Sequence, residues 1–197
     1  MLGKKYHHGD LKNALIAAGI EILAQEGLSG LSLRAVAKRA GVSHSAPYAH
    51  FVDKQALIAA ISTEGFRQLD AALEAAASLY PEDPRQQLVE GTWAYVQFAV
   101  HNTGVFKLMF SGVLEKELDY PAFIEVSHRT LARVVTAVQA AQAAGSLRPA
   151  SPELVAAAIW GQVHGLTQLM LEGQFTHTVI DRYTMREIVF FAINLIA

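Results

Sequence analysis

The sequence predicts an all-α protein of about nine helices. Apolar residues recur every three or four positions in almost every segment of the 197-residue chain, which is the spacing of one helix face. No segment alternates apolar and polar residues as a half-buried strand does, and there is no internal repeat. Gly, Pro, Ser and Asp stand where the apolar runs stop, as they do at helix ends. Because 52% of the residues are hydrophobic, a substantial helical core is expected.

Three helices are predicted in the first fifty residues. The first runs from about residue 10 to Gly27, which stops it. Ser32 can cap a second, short helix that ends at Gly41. Ser43 can cap a third over residues 44–50.

A long connecting helix and five further helices follow. Asp53 can cap the connecting helix, which is expected to run to about residue 77, and "YPEDP" then breaks the chain. The remaining helices are predicted at about residues 85–101, 105–110, 122–144, 152–172 and 182–195. Gly145 is expected to end the helix at 122–144, and Pro152 to begin the helix at 152–172. The domains expected from this order are residues 1–52, a connecting helix at 53–77, and residues 78–197.

The charges are distributed unevenly. The chain carries a formal net charge of −2, which does not by itself indicate a nucleic-acid partner. The first fifty residues, however, hold 6 Lys and Arg against 3 Asp and Glu, whereas the other 147 hold 10 against 15. Because the N-terminal part is basic and the rest of the chain is acidic, we expect the N-terminal part to bind an anionic partner. The basic "KKYHH" at 4–8 could be an arm along that partner or a disordered terminus.

Residues 40–51, "AGVSHSAPYAHF", have the pattern of a helix-turn-helix. Gly41 tolerates the positive φ that such a turn needs. Ala37 is small enough to let the two helices cross closely. The helix that follows the turn would then present His44, Ser45, Ala46 and His50 outward, as a helix entering a major groove does.

The segment "SLRAVAKRAGVSHSAPYAHFVDKQALIAA" at 32–60 resembles the DNA-binding domain of TetR-family transcriptional repressors. The resemblance lies in Val-Ala, Ala-Gly-Val-Ser, Tyr-x-His-Phe and Lys-x-x-Leu in that order, and it extends over about residues 10–66. Many family members have Gly-Thr where this chain has Ser45-Ala46, and another apolar residue at Pro47. We therefore expect the same fold here, with a helix that starts later or bends at Pro47.

The resemblance implies a role in DNA binding for nine residues. Tyr48, His50 and Lys54 match positions that contact DNA phosphates. Ser32 and Arg34 match positions at which the first short helix contacts the DNA backbone. Three further residues match positions that face the bases: His44, Ser45 and Ala46. Ser43 begins the base-facing helix. The implied partner is double-stranded operator DNA.

The body of the protein carries a second, shorter signature. "WGQVHG" at 160–165 resembles the Trp-x-x-x-His-Gly motif of the WHG-type C-terminal domain found on some TetR-family regulators. Gly161 and Gly165 share a helix face on which another helix can approach closely. The resemblance implies a homodimer through the last two long helices, and the final helix has little polar face. Candidate interface residues are Gly161, Gly165, Ile188, Phe191 and Leu195. The alternative is that this face is buried within the subunit.

The resemblance also implies a pocket for a small-molecule effector in the body. Candidate lining residues are Trp93, Phe98, His101, Phe106, Met109, Phe110, Trp160 and His164. Each could instead be plain core, and a single sequence does not separate a structural His164 from a sensing one. The few polar residues in this set favour an apolar or aromatic effector.

The function expected is that of a repressor released from a near-palindromic operator by its effector. A ligand-dependent activator, or a regulator that needs a corepressor, remains open, and a non-DNA interaction module or an enzyme is a remote alternative. No histidines have metal-ligand spacing and there is no cysteine, so neither a metal site, a catalytic site nor a cofactor is predicted. Charges in the N-terminal stretch argue against a signal peptide. The apolar run at 154–171 is expected to be a buried helix and not a membrane span, which favours a cytoplasmic protein.

Overall fold

The computed structural model describes residues 8–175 and 181–195, with side chains from residue 11 onward. Residues 4–7 of the basic arm lie outside this range. Throughout the described residues the secondary structure is helical, which confirms the predicted all-α class, with eight α-helices in place of about nine. They are α1 (His8–Gly30), α2 (Leu33–Arg39), α3 (Lys54–Ser78), α4 (Pro84–His101), α5 (Thr103–Met109), α6 (Pro121–Ala143), α7 (Pro152–Leu171) and α8 (Met185–Asn194). Two 3-10 helices, Ala46–Ala49 and Glu117–Asp119, complete the set.

The chain packs as two compact units. The first unit comprises residues up to 66 and residues 102–125, and the second comprises residues 67–101 and those from 126 onward. Helices α3 and α6 each contribute residues to both units. The predicted functional boundaries at 52 and 77 stay a prediction, because the units describe packing only.

In the first unit α1 packs on α2 and α5. Its fully buried side chains include Leu15, Val36, Phe51 and Phe106. Helix α5 approaches α1 very closely: a Cβ added at Gly104 would lie 2.6 Å from the carbonyl oxygen of Leu23. Only glycine fits there without moving the backbone of one of the two helices.

Gly27 interrupts α1, as the sequence predicts. Its φ of 67° and ψ of −167° are non-helical, and the chain resumes helical turns to Gly30. Gly145, with a φ of 70°, likewise follows the end of α6. Both glycines stand in the left-handed region that side-chain-bearing residues rarely adopt.

In the second unit α4, α7 and α8 pack against one another. Val189 and Ile193 bury the inner face of α8. Arg186 of α8 fastens this contact, because its guanidinium lies 2.7 Å from Glu90 Oε1 and 5.8 Å from the ring centroid of Trp93. A charged pair that also stacks on an aromatic ring resists separation better than a simple surface ion pair.

Helix α7 differs from its prediction as a buried helix. By length and composition it is the one helix of the described residues that could span a membrane. Only 22% of its apolar stretch is buried within the protein. Ala156, Ile159, Val163 and Thr167 are buried along one face. The opposite face is open, so apolar composition alone did not report burial.

Candidate DNA interface and effector cavity

Helix α2 is held by its N-cap. The backbone N–H of Ala35 donates to Ser32 Oγ at 3.1 Å, which satisfies one of the free donors of the first turn. Val36 and Ala37 are fully buried against the unit, while Arg34 is exposed. Arg34, which is predicted to contact the DNA backbone, therefore points away from the core.

The turn after α2 has the predicted geometry. Gly41 has a φ of 69°, the left-handed conformation that ends the helix. The Val42 N–H then donates to the carbonyl of Ala37 at 3.0 Å and closes the turn. This pair of features is the glycine C-cap that reverses the chain tightly.

The segment after the turn is not the α-helix predicted over residues 44–50. Residues 44 and 45 form a turn and Ala46–Ala49 form a 3-10 helix, closed by a hydrogen bond of 3.2 Å from the Tyr48 N–H to the Ser45 carbonyl. Pro47 is buried and has no N–H to donate to the carbonyl of Ser43. The loss of that i to i−4 bond is the physical reason for the short, tight helix.

Most of the residues with an implied DNA role are exposed on this segment and beside it. Tyr48 is 61% exposed, and Ser43 Oγ lies 3.1 Å from Ser45 Oγ. The exposed members of the implied set are Arg34, Ser43, His44, Ser45, Tyr48 and Lys54. Ser32, Ala46 and His50 are half-buried.

Lys54 is exposed, whereas the Nε2 atom of His50 is buried. Lys54 is the first residue of α3, which Asp53 caps by accepting from the Ala56 N–H at 2.8 Å. The Nε2 of His50 is buried and has no hydrogen-bond partner. Because a buried polar nitrogen without a partner is costly, a rotation that brings Nε2 to an acceptor would be favourable.

A cavity of about 560 Å³, including the part open to solvent, lies within the second unit. Its lining comes from α3, α4, α6 and α7, and nearly all of the lining surface belongs to carbon. The lining residues are Leu73, Ala77, Gln87, Leu88, Gly91, Thr92, Tyr95, Arg133, Val134, Ala137, Ile159, Trp160 and Val163. A concave apolar cavity with few polar groups is the usual form of a small-molecule site.

Two of the polar lining residues are held by backbone carbonyls. Gln87 Nε2 donates to the carbonyl of Tyr80 at 2.8 Å. Thr92 Oγ1 donates to the carbonyl of Leu88, also at 2.8 Å.

Tyr95 is held by a hydrogen-bonded chain of side chains. Its hydroxyl oxygen lies 2.7 Å from His164 Nδ1 and also bonds to the side chain of Trp160. Because an indole N–H can only donate, the Tyr95 oxygen accepts from Trp160 and its own hydrogen goes to His164. Burial raises the pKa of Tyr95 and lowers the pKa of His164, so both are neutral at pH 7.

Arg133 is held by carboxylates outside the cavity lining. Its Nε lies 2.8 Å from Asp70 Oδ1, and its Nη2 lies 3.2 Å from Glu74 Oε2. Arg129 Nε binds the other Asp70 oxygen at 3.1 Å. Asp70 is 6% exposed, and its hydrogen bond with Arg133 is the main cause that lowers the pKa of its carboxyl.

The predicted pocket residues are largely elsewhere. Of that set, Trp160 lines this cavity, and His164 reaches it through Tyr95. Phe98 is buried, His101 is exposed, and Trp93 lies under Arg186. The remaining three lie in the first unit, where Phe106 and Met109 are buried and Phe110 packs edge-on to Phe66. Sequence reasoning did not single out Tyr95, Thr92 and Arg133, and the run Leu88, Gly91, Thr92, Tyr95 at helical spacing was the available signal.

An apolar face of α7 and α8 is left uncovered. Leu169 of α7 is 43% exposed, and Phe191 and Leu195 of α8 are 67% and 59% exposed. Gly161 is exposed, whereas Gly165 and Ile188 are half-buried. Apart from the neighbouring residues and backbone of α7 itself, no described atom lies within 4 Å of a Cβ built at Gly161 or at Gly165, so this side of α7 is open to another helix.

Two family models match the chain. The model for bacterial regulatory proteins of the tetR family matches residues 15–61. The model for the tetracyclin repressor-like C-terminal domain matches residues 88–190, more than half of the chain. These matches concern regulators, which confirms the prediction of a regulatory protein and not an enzyme. They are not specific to the WHG type, which stays a prediction.

Individual proteins agree with the family models. A structure of a protein with unknown function from Rhodococcus sp. RHA1 is 32% identical, with a TM-score of 0.83 over 98% of this chain and 97% of that one. The TetR family transcriptional regulator PfmR from Thermus thermophilus is 18% identical, with a TM-score of 0.69 over 92% and 96% of the two chains, and shares the fold. The uncharacterized HTH-type transcriptional regulator YobS of Bacillus subtilis (strain 168) is 28% identical over 111 residues. That match spans 56% of this chain and 57% of YobS, so this chain covers little more than half of that relative.

Proposed function

The chain belongs to the TetR family of bacterial regulatory proteins, and we propose that it is a cytoplasmic homodimeric repressor that a small apolar effector releases from a near-palindromic operator. The observation that carries DNA binding is the group of exposed polar side chains at and after the Gly41 turn. Ser43, His44 and Ser45 can meet base edges, and Tyr48 and Lys54 can meet phosphates.

His50 completes this surface if its ring turns. Its buried Nε2 gains a hydrogen-bond partner when the ring rotates toward a phosphate oxygen. Arg34, exposed on α2, adds a charged contact to the backbone of the same DNA.

Dimerisation rests on the uncovered face of α7 and α8. An isologous contact across Gly161 and Gly165 would bury Leu169, Phe191 and Leu195 of both subunits at once. Covering this face also accounts for an apolar helix of which one side alone is buried within the subunit. Two DNA-binding units would then read two half-sites about 34–36 Å apart.

Effector binding rests on the apolar cavity of the second unit. A ligand that binds one conformation of the dimer better shifts the population toward it, by no more than its differential affinity for the two states. Helix α3 begins with Lys54 and reaches the cavity wall at Leu73 and Ala77. Movement of α3 would therefore change the placement of the DNA-contacting residues.

The test is selection of bound fragments from a random DNA library by the purified protein at low and at moderate salt. Enrichment of a two-fold symmetric site, with affinity that falls steeply with salt, is the expected result. Enrichment of a single asymmetric half-site would contradict the dimer, and salt-insensitive binding without enrichment would contradict a DNA-binding role. A repressor is told from an activator by placing the selected site at a promoter and measuring transcription with and without the protein.

A further inference from the structure

The effector cavity has one charged residue in its lining, and that charge is turned away from it. Arg133 contributes its aliphatic stem to the wall, since the lining surface is nearly all carbon. Its guanidinium is bound by Asp70 at 2.8 Å and by Glu74 at 3.2 Å, and neither carboxylate belongs to the lining. The side chain thus offers a hydrocarbon surface to the cavity and its charge to the other side.

The other polar lining groups are also engaged within the protein. The amide of Gln87 and the hydroxyl of Thr92 donate to backbone carbonyls, and the hydroxyl of Tyr95 is shared by Trp160 and His164. The donor hydrogens of these groups are thus already in use, and each would have to give up a hydrogen bond in order to donate to an anion. A ligand is therefore recognised by its shape and its apolar surface.

We propose that Asp70 sets the charge selectivity of this cavity: by binding the guanidinium of Arg133 outside the wall, it makes the cavity a site for uncharged apolar molecules and closes it to carboxylates and sulfonates. The proposal rests on the effector-binding role proposed above and names the chemical class of that effector. An anion entering the cavity would lose its hydration and meet no cationic group facing it among the described lining residues. An uncharged molecule of the same size loses nothing comparable.

Asp70 is suited to this role by its burial. It is 6% exposed and bonds to both Arg129 and Arg133, whereas the side chain of Glu74 is 64% exposed. The exposed glutamate holds the arginine less firmly, because solvent screens the pair. If Asp70 lost its charge, the long side chain of Arg133 could swing its guanidinium into the cavity.

The experiment uses two fluorescent probes that differ in one group. N-phenyl-1-naphthylamine is uncharged, and 1-anilinonaphthalene-8-sulfonate has the same skeleton with a sulfonate. Both are titrated into the full-length wild-type protein and into Asp70→Asn, without DNA. We expect the wild type to bind the uncharged probe at least about tenfold more tightly, and Asp70→Asn to gain about tenfold for the sulfonate while the uncharged probe changes less than about threefold.

Two further variants locate the effect. Gly91→Leu fills the cavity, because a Cβ at Gly91 meets nothing within 4 Å, and it should abolish saturable binding of the uncharged probe. Arg133→Met keeps the apolar stem without the charge; it should leave the wild-type preference intact, and it should remove the sulfonate gain when combined with Asp70→Asn.

Several outcomes would overturn the proposal. They are an unchanged probe ratio in folded Asp70→Asn, wild-type sulfonate binding that Arg133→Met weakens, and uncharged-probe binding that Gly91→Leu leaves intact. A loss of sulfonate binding in Arg133→Met would overturn the proposal even if Asp70→Asn fails to fold. The fragment selection described above needs no probe, so a failure of charge selectivity is distinguishable from a failure of the DNA-binding proposal.

Discussion

Replacing Phe191 by Asp should convert the protein from a dimer to a monomer. Phe191 is 67% exposed on the outer face of α8. Complete burial of a Phe side chain is worth about 1.5–3 kcal/mol, so about two-thirds of that, roughly 1.5 kcal/mol, is available from each subunit. An isologous interface contains the residue twice, which makes the loss about 3 kcal/mol before any cost of placing a carboxylate there. The dimer Kd should therefore rise by at least about 100-fold.

The assay is molar mass by light scattering or sedimentation at micromolar concentration. The wild type is expected at twice the chain mass of 21.4 kDa and Phe191→Asp at the chain mass itself. Leu118→Asp is the matched control, because Leu118 is 86% exposed and belongs to the 3-10 helix after α5, in the first unit, and to neither α7 nor α8. A wild type that runs as a monomer, or a folded Phe191→Asp that stays dimeric, would refute the reasoning.

Three further predictions concern DNA contacts, pH and packing. Lys54→Ala should weaken binding to every DNA alike and reduce the salt slope by about 1, whereas His44→Ala should change the preferred sequence. Fluorescence anisotropy on selected and scrambled duplexes distinguishes these two effects. A changed sequence preference in Lys54→Ala would contradict the assigned roles. Asp70→Asn should lower the free energy of unfolding by about 2 kcal/mol at pH 7. Because the fold lowers the pKa of Asp70, that difference should be constant above about pH 5 and shrink as the pH falls below about 4, which urea unfolding at several pH values measures. Gly104→Ala should destabilise the protein by about 1–3 kcal/mol, since its Cβ would lie 2.6 Å from a backbone oxygen of α1. The control Gly91→Ala has open space around its Cβ and should melt no lower than the wild type. Equal melting temperatures of the two variants would contradict the packing argument.

The helix ends were predictable because local chemistry decides them. Gly41 and Gly145 have the positive φ that ends a helix, and Ser32 caps α2 by its own side chain. The one local prediction that was wrong, the α-helix over residues 44–50, had its cause in the sequence too. Pro47 removes a donor in the first turn, and its effect there was a change of helix type and not only a bend.

The cavity was less accessible to sequence reasoning because it depends on distant pairings. A residue on the inner face of a helix has the same spacing whether it packs tightly or lines a void, so Phe98 and Tyr95 look alike in the sequence. Asp70 and Arg133 are 63 positions apart, and no periodicity links them. Burial of α7 was overestimated for a related reason, since composition does not tell a face covered within the subunit from one left uncovered.

In the proposed complex with DNA, the short 3-10 helix after the turn would limit how much sequence information each subunit takes from the duplex. At about 2.0 Å per residue, the four residues Ala46–Ala49 advance the chain by about 8 Å, which matches only about two base-pair steps of 3.4 Å. With the exposed turn at Ser43 and His44 added, a half-site would specify about three base pairs. The two half-sites together would then specify about six, and the rest of the discrimination among genomic sites would fall to backbone contacts, to the spacing between half-sites and to the bendability of the DNA between them.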